Sequence, residues 1–324
     1  MKSTNGLFAA AASLVLLLAP LATANAQTIA TLKIASPQRG SWEGAIPELG
    51  QQAGIFRKHG LNLEIVYTSG GGETLQTVVS GAVDVGLSAG LLSIMGAFQK
   101  GAPLRIIGAS ATGSPEVFWI TKADSPVKTV ADAAGRTMSY STAGSSTQIA
   151  VMRFIDQFKV AAKPTATGSV SATLTAVMTG QVDIGWMVAP FGLKELAEGK
   201  VRIVAYAKDI EAVRKQTSRV QIVNTDVLAK KRDLIDRYAK AYDETLDWMY
   251  SSEDALKRYL VFSGFDEAAV RETLKNFIPK SSLQTQSVQG LDEAMEDAVK
   301  YKYLTKPLTK EELSVLIQTQ PFAK

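Results

Sequence analysis

The stretch TLQTVVSGAVDVG (Thr74–Gly86) returns 99 residues later as TLTAVMTGQVDIG (Thr173–Gly185). The copies share Thr-Leu, then Val78/Val177, Gly81/Gly180, Val83/Val182, Asp84/Asp183 and Gly86/Gly185. Each reads as a helix, a glycine turn and a strand. Gly81 and Gly180 fall at the helix C-terminus, where left-handed backbone is cheap for glycine. Asp84 and Asp183 begin the strands, either as ligand contacts or as turn and capping groups. Both copies carry the Asp, which favours capping, because a shared ligand needs such a contact once. The repeat predicts two similar lobes.

Working outward, strand-like and helix-like runs alternate on both sides of each copy. LKIAS (Leu32–Ser36) reads as a strand, PELGQQAGIFRKHG (Pro47–Gly60) as a helix and LNLEIVYT (Leu61–Thr68) as a strand. LLSIMGAFQKG and LRIIGAS continue as helix and strand. Around the second copy, TVADAAG is a short helix capped by Thr129, RTMSYST a strand and SSTQIAVMRFIDQF a helix. This alternation predicts an α/β fold, each lobe a mainly parallel sheet flanked by helices. RVQIVNTDVL (Arg219–Leu228) reads as a strand returning to the first lobe. From Asp233 the chain reads as amphipathic helix, broken at Pro279, Gly290 and Pro307. The expected division is 27–124 plus 217–324 for lobe one and 125–216 for lobe two. Lys122–Asp124 and Gln216–Val220 would be the hinge.

The first 26 residues stand apart. Lys2, an apolar run over Leu7–Leu21 and the small residues Ala24-Asn25-Ala26 form a secretory leader with cleavage expected after Ala26. The expected location is therefore the periplasm. The 324 residues contain no cysteine, which excludes disulfides, thiolate metal sites and a lipid-modified cysteine. Without Lys2, 34 basic residues face 31 acidic ones, mixed along the chain rather than massed in a stripe, so no nucleic-acid partner is expected.

Catalytic motifs meet a chain with a single histidine, His59. GLSAG (Gly86–Gly90) fits the G-x-S-x-G elbow, but that chemistry needs a histidine after the serine, and His59 precedes Ser88. SPVK (Ser125–Lys128) has the spacing of serine–lysine acylases without the rest of their signature. No phosphate loop, dinucleotide fingerprint or H-E-x-x-H is present. The sequence thus predicts a binder and no enzyme, with neither cofactor nor metal.

What it offers are polar, glycine-rich loops ahead of helices: SPQRGSW (Ser36–Trp42), TSGGGET (Thr68–Thr74) and STAGSSTQ (Ser141–Gln148). Each collects backbone N–H groups, hydroxyls and the positive end of a helix. The C-terminal ends of parallel strands are where α/β proteins hold ligands. Expected contacts are Ser69, Gly71 and Ser88 in lobe one and Ser145, Ser146 and Thr147 in lobe two. Arg39 would grip an anion, Glu116 an ammonium or N–H, and Trp42 and Trp186 would wall the cleft. Each has a structural alternative: a solvated loop arginine, a turn glutamate, core tryptophans.

The stretches AGIFRKHGLNLEIV (53–66), SGAVDVG (80–86), ADSPVKTVADAAGRTMSYSTAGSS (123–146) and TGQVDIG (179–185) carry a family likeness. Nearly end to end after the leader, the chain resembles substrate-binding proteins of ATP-driven bacterial importers. It is similar to the branch for sulfonates, taurine, nitrate and thiamine-pyrimidine precursors. That resemblance implies a two-lobed clamshell acting as a monomer. An anionic or zwitterionic solute would sit in the interlobe cleft, and a membrane permease with its ATPase would be the partner. It also implies ligand roles for Gln38 and Arg39, for the hydroxyls of Ser145, Ser146 and Thr147, and for Glu116. Two departures weaken the sulfonate assignment. Sulfonate binders carry Gly-Asp where this chain has Ser88-Ala89-Gly90, and Trp-Asp-Pro where it has Val188-Ala189-Pro190, with Trp186 displaced by two positions. Pro190 is retained as a candidate contact. A periplasmic sensor or a hydrolytic enzyme on the same fold are the alternative readings.

Overall fold

A computed structural model describes residues 29–319, so the expected leader at 1–26 lies outside the described residues. Among the described residues, ten strands form a five-stranded sheet in one lobe and, in the other, a three-stranded sheet extended by a parallel pair. In lobe one, β1 (Ala30–Pro37), β2 (Leu61–Thr68), β3 (Val85–Gly90), β4 (Leu104–Thr112) and β10 (Thr217–Asn224) stand in the order β2-β1-β3-β10-β4. In lobe two, β5 (Val117–Lys122), β8 (Gly185–Val188) and β9 (Val201–Tyr206) form the order β8-β5-β9. The parallel pair β6 (Thr137–Tyr140) and β7 (Lys163–Ala166) joins β8 through the bridge Met138–Ile184. The second sheet therefore runs β7-β6-β8-β5-β9, element for element with the first. Each sheet is parallel but for the strand that crosses from the other lobe, β10 in one and β5 in the other.

That crossing corrects one expected boundary. Val117–Lys122 was expected in lobe one, but it pairs with β8 and β9. The chain thus passes between lobes at Gly113–Glu116 rather than at Lys122–Asp124, and returns between β9 and β10. A buried apolar strand carries no mark of which sheet it enters, because its partners lie some 70 residues away.

The helices are α1 (Ile46–Gln52), α2 (Ile55–Lys58), α3 (Gly71–Val79), α4 (Leu91–Gln99), α5 (Ser146–Phe158), α6 (Val170–Met178), α7 (Leu193–Ala197) and α8 (Glu211–Arg214). The tail adds α9 (Thr225–Lys230), α10 (Arg232–Ser251), α11 (Glu253–Ser263), α12 (Glu267–Asn276), α13 (Leu291–Lys300) and α14 (Lys310–Leu316). The helix expected over Pro47–Gly60 parts at Ala53-Gly54 into α1 and α2. Helix α10 buries Ile235, Tyr238, Tyr242, Thr245, Leu246 and Met249, a stripe of helical period, against α1 and α2. No helix among the described residues is long and apolar enough to cross a membrane.

The repeat is α3–turn–β3 and α6–turn–β8, and its shared residues do the same work twice. Gly81 and Gly180 turn the chain at φ 74° and 76°. A Cβ on Gly86 would stand 2.7 Å from methyls of Thr74 and Val78, and one on Gly185 2.3 Å from Val177 and 3.0 Å from Thr173. The glycines let helix and strand pack at backbone distance. Asp84 accepts the Lys33 amide of β1 at 2.9 Å and pairs with Lys231 at 2.9 Å. Asp183 accepts the Thr137 amide of β6 at 2.9 Å and its hydroxyl at 2.8 Å. Both aspartates tie one strand to the start of the next and take no place in the cleft.

Candidate functional site

The C-terminal ends of β1 and β3 in one lobe face the β6–α5 loop and β8 in the other. Between them lies a cavity of about 50 Å³, room for a few waters at ~10–15 Å³ each. Its walls come from both lobes: Gln38, Ser41, Glu43, Gly71, Ser88 and Arg219 from one, and Ser141, Ser145, Ser146, Thr147, Trp186 and Val188 from the other.

The lobes are in contact around this cavity. A Cβ on Gly72 would lie 2.0 Å from the Ala143 carbonyl, and one on Gly90 2.5 Å from that of Gly144. The TSGGGET and STAGSS loops meet backbone to backbone, which side chains would prevent. Gln38 spans the gap, its amide donating to the Ser69 carbonyl at 2.5 Å and accepting the Val170 N–H of α6 at 3.0 Å. Gly72 N–H donates to Thr142 Oγ1 at 3.1 Å, and Ser93 Oγ to the Gly144 carbonyl at 2.6 Å.

On the α5 side, Ser145 caps the helix by accepting the Gln148 amide at 3.2 Å. Thr147 Oγ1 accepts the Ser141 amide at 3.0 Å and lies 2.9 Å from Ser145 Oγ. The Ser146 hydroxyl and the Ser146 and Thr147 amides have no protein partner among the described residues, nor has the Gly71 amide opening α3. These are the donors that two helix N-termini leave free for an acceptor.

The opposite wall is charged. Arg219 of β10 donates through Nη2 to Glu43 Oε2 at 2.9 Å and to Glu116 Oε1, and Ser88 Oγ donates to Glu43 Oε1. Burial is the largest influence on Glu43. It outweighs the attraction of Arg219 and, with the Glu116 charge, holds the carboxyl above its ordinary range. Burial works against the Arg219 charge, yet Glu116 and Glu43 outweigh it and keep the guanidinium above its ordinary value. Glu116 Oε2, Arg219 Nε and Trp186 Nε1 are buried and have no partner among the described residues.

The expected contacts divide accordingly. Gln38, Gly71, Ser88, Ser145, Ser146, Thr147 and Trp186 line the cavity, and Glu116 stands behind Arg219. Arg39 does not: it is exposed, stacked 4.7 Å from the Phe262 ring and 5.7 Å from Tyr67. Trp42 is wholly buried, edge-on to Tyr259 at 4.7 Å and Tyr250 at 5.7 Å, so it is core and not wall. Pro190 and Ser69 also lie off the cavity, the Ser69 carbonyl accepting from Gln38 behind it. Sequence reasoning missed Glu43 and Arg219. Their signal was a charged residue within an otherwise buried run, SWEGAI and RVQIVN. His59 lies outside the cavity lining and pairs with Glu244 at 2.8 Å.

A larger open groove of about 780 Å³ lies between α5, residues 210–216 and α13. Two ion pairs cross it, Arg153 with Asp297 and Lys300 with Asp156, which makes it the junction where α5 of one lobe meets α13 of the other.

The family model described as NMT1/THI5 like matches residues 48–255. No curated protein matches the chain. Among solved structures, it is similar to the alkanesulfonate-binding protein SsuA from Xanthomonas axonopodis pv. citri bound to MOPS. The TM-score is 0.75 at 16% identity, covering 90% of this chain and 99% of that one. The periplasmic nitrate-binding protein NrtA from Synechocystis PCC 6803 gives a TM-score of 0.66 at 13% identity, covering 90% and 86%. The desulfurization enzyme DSZB gives 0.61 at 14%, covering 90% and 97%. The likeness is one of fold, a two-lobed α/β clamshell that carries binders and an enzyme alike.

Proposed function

The chain belongs to the NMT1/THI5-like family, and on that premise we propose that it is an extracytoplasmic solute-binding protein. It captures a small organic solute between its lobes and delivers it to the permease and ATPase of an importer. The observation that carries this reading is the cavity walled by both lobes, with unpaired amides of α3 and α5 on one side and charged groups on the other. A ligand touching both walls favours the closed arrangement by its differential affinity, and closure is the signal a permease would read. Residues 30–112 with 217–319 form one lobe and 117–206 the other, the two crossings being the hinge. The leader-like segment at 1–26 supports export to the periplasm. The fold is shared by nitrate- and sulfonate-binding proteins and by an enzyme. The cavity chemistry supports import over catalysis, since Ser88 donates to a glutamate and no histidine lines the wall. Of the anionic and zwitterionic solutes expected from the sequence, the zwitterion fits the two unlike walls better.

Thermal unfolding of the protein against sulfonates, taurine, nitrate, carboxylates, amino acids and pyrimidines tests this. A solute at ~100 times its Kd adds about 2.7 kcal/mol, a rise of a few degrees. Turnover of a bound compound by pure protein would instead favour the enzyme. Unimpaired uptake in a deletion strain would favour the sensor.

A further inference from the structure

The charged wall has one carboxylate more than it has cations. Glu43 and Glu116 share the single guanidinium of Arg219, and among the described residues Arg219 is the only cationic side chain lining the cavity. Beyond Ser146 and Thr147 the cleft continues into a smaller space reaching Arg153, but Arg153 is taken by Asp297 and Gln216. Including that pair leaves three carboxylates against two guanidinium groups. An uncompensated buried carboxylate costs several kcal/mol, so the excess must be met by a proton or by a cation from outside.

Two further observations point to a ligand. Glu116 is 2% exposed and its Oε2 accepts from nothing, although buried carboxylate oxygens are almost always paired. Trp186 is 3% exposed and lines the same cavity, yet its indole N–H donates to nothing. One orphan needs a donor, the other an acceptor. The free amides of Gly71, Ser146 and Thr147 also need an acceptor.

We propose that the solute carries a cationic nitrogen, an ammonium or amidinium, which sits against Glu43, on the wall where Glu43 and Glu116 share Arg219. Its acceptor end faces Trp186 and the open ends of α3 and α5. Glu43 and Glu116 are then the residues that set specificity, and a sulfonate or carboxylate lacking the nitrogen is rejected. The bare anion meets only a guanidinium whose charge two carboxylates already share, and adds to the excess negative charge. This rests on the solute-binding reading and names the class of solute.

The test uses probes matched in carbon skeleton that differ in their nitrogen: taurine with ethanesulfonate, β-alanine with propionate, and 4-amidinobutyrate with pentanoate. Calorimetric titration of the wild-type protein and of Glu43→Gln and Glu116→Gln reads the ratio within each pair. For at least one pair, the nitrogen-bearing member should bind wild type about tenfold or more tightly than its partner, as a charge-assisted contact in a buried site requires. That ratio should fall to about threefold or less in a folded Glu→Gln variant. Equal or tighter binding of the bare anions overturns the inference and leaves solute binding standing. So does a wild-type preference untouched by either substitution. Binding of no probe in either class overturns the solute-binding reading itself. Should neither variant fold, the wild-type ratios alone decide.

Discussion

Arg39 and Arg219 are the same side chain put to opposite uses. Arg39 follows β1 in a polar loop, the place where an anion-gripping arginine is expected, yet it turns outward onto Phe262 and Tyr67. Arg219 lies in a strand that is buried but for Ser218, and its guanidinium reaches the cleft. Residue type and loop position are legible in a sequence; the direction of a long side chain is set by tertiary neighbours, and is not. Trp42 and Trp186 divide the same way, one into the core and one onto the wall. Two outcomes follow for the arginines. Arg39→Ala should leave solute affinity within about twofold and lower stability by about 0.5–1 kcal/mol in urea unfolding, the scale of an exposed cation–π contact. Arg219→Met strands two buried carboxylates and should lower stability by about 3–5 kcal/mol in the same measurement.

At the scale of elements, the repeat was the most legible feature because its demands are local. A helix that must lie at backbone distance on the strand it leads into requires glycine at Gly86 and at Gly185, whatever the rest of the chain does. Alanine there should cost about 1–3 kcal/mol by overpacking, and Val177→Ala alongside Gly185→Ala should recover part of it, both read from unfolding midpoints. The aspartates make a second test. Burial works against the Asp183 charge, but the Thr137 amide and hydroxyl and the Arg136 guanidinium outweigh it and hold the carboxyl below the usual range. A carboxyl lowered by folding contributes stability that is present above its unfolded value and is lost as pH falls through the lowered one. The wild-type protein should therefore weaken on acidification below about pH 4, whereas Asp183→Asn should be less stable at neutral pH and lose less between pH 5 and 3. Parallel acid slopes for the two would show that another carboxyl governs that limb. By contrast β5, an apolar strand without such a local signature, was expected in the wrong lobe, since only its distant partners β8 and β9 decide its place.

For the whole molecule, the question is what holds two lobes together around a cavity of a few waters. Helix α5 belongs to lobe two, and α13 packs on α4 in lobe one. Between them run Arg153–Asp297, Lys300–Asp156 at 2.7 Å and Tyr301 to Asp156 at 2.8 Å, and Tyr303 donates to Gln148 at 2.9 Å. These contacts differ in weight. Asp156 and Lys300 are exposed, and such pairs contribute ~0–1 kcal/mol, screened by salt. Arg153 is buried and Asp297 partly so, their side chains 6% and 17% exposed, so removing Asp297 leaves a buried guanidinium uncompensated, worth up to about 3–5 kcal/mol against the closed form. Opening the lobes lets water reach that charge and relieves the penalty. Asp297→Asn should therefore enlarge the radius of gyration of the ligand-free protein in solution scattering and weaken solute binding, because each ligand must now close an open clamshell. Asp156→Asn should leave the radius within error. An unchanged radius in Asp297→Asn, with the protein folded, would mean that the loops meeting at Gly72 and Ala143, together with the apolar core shared by both lobes, hold closure without the ion pair.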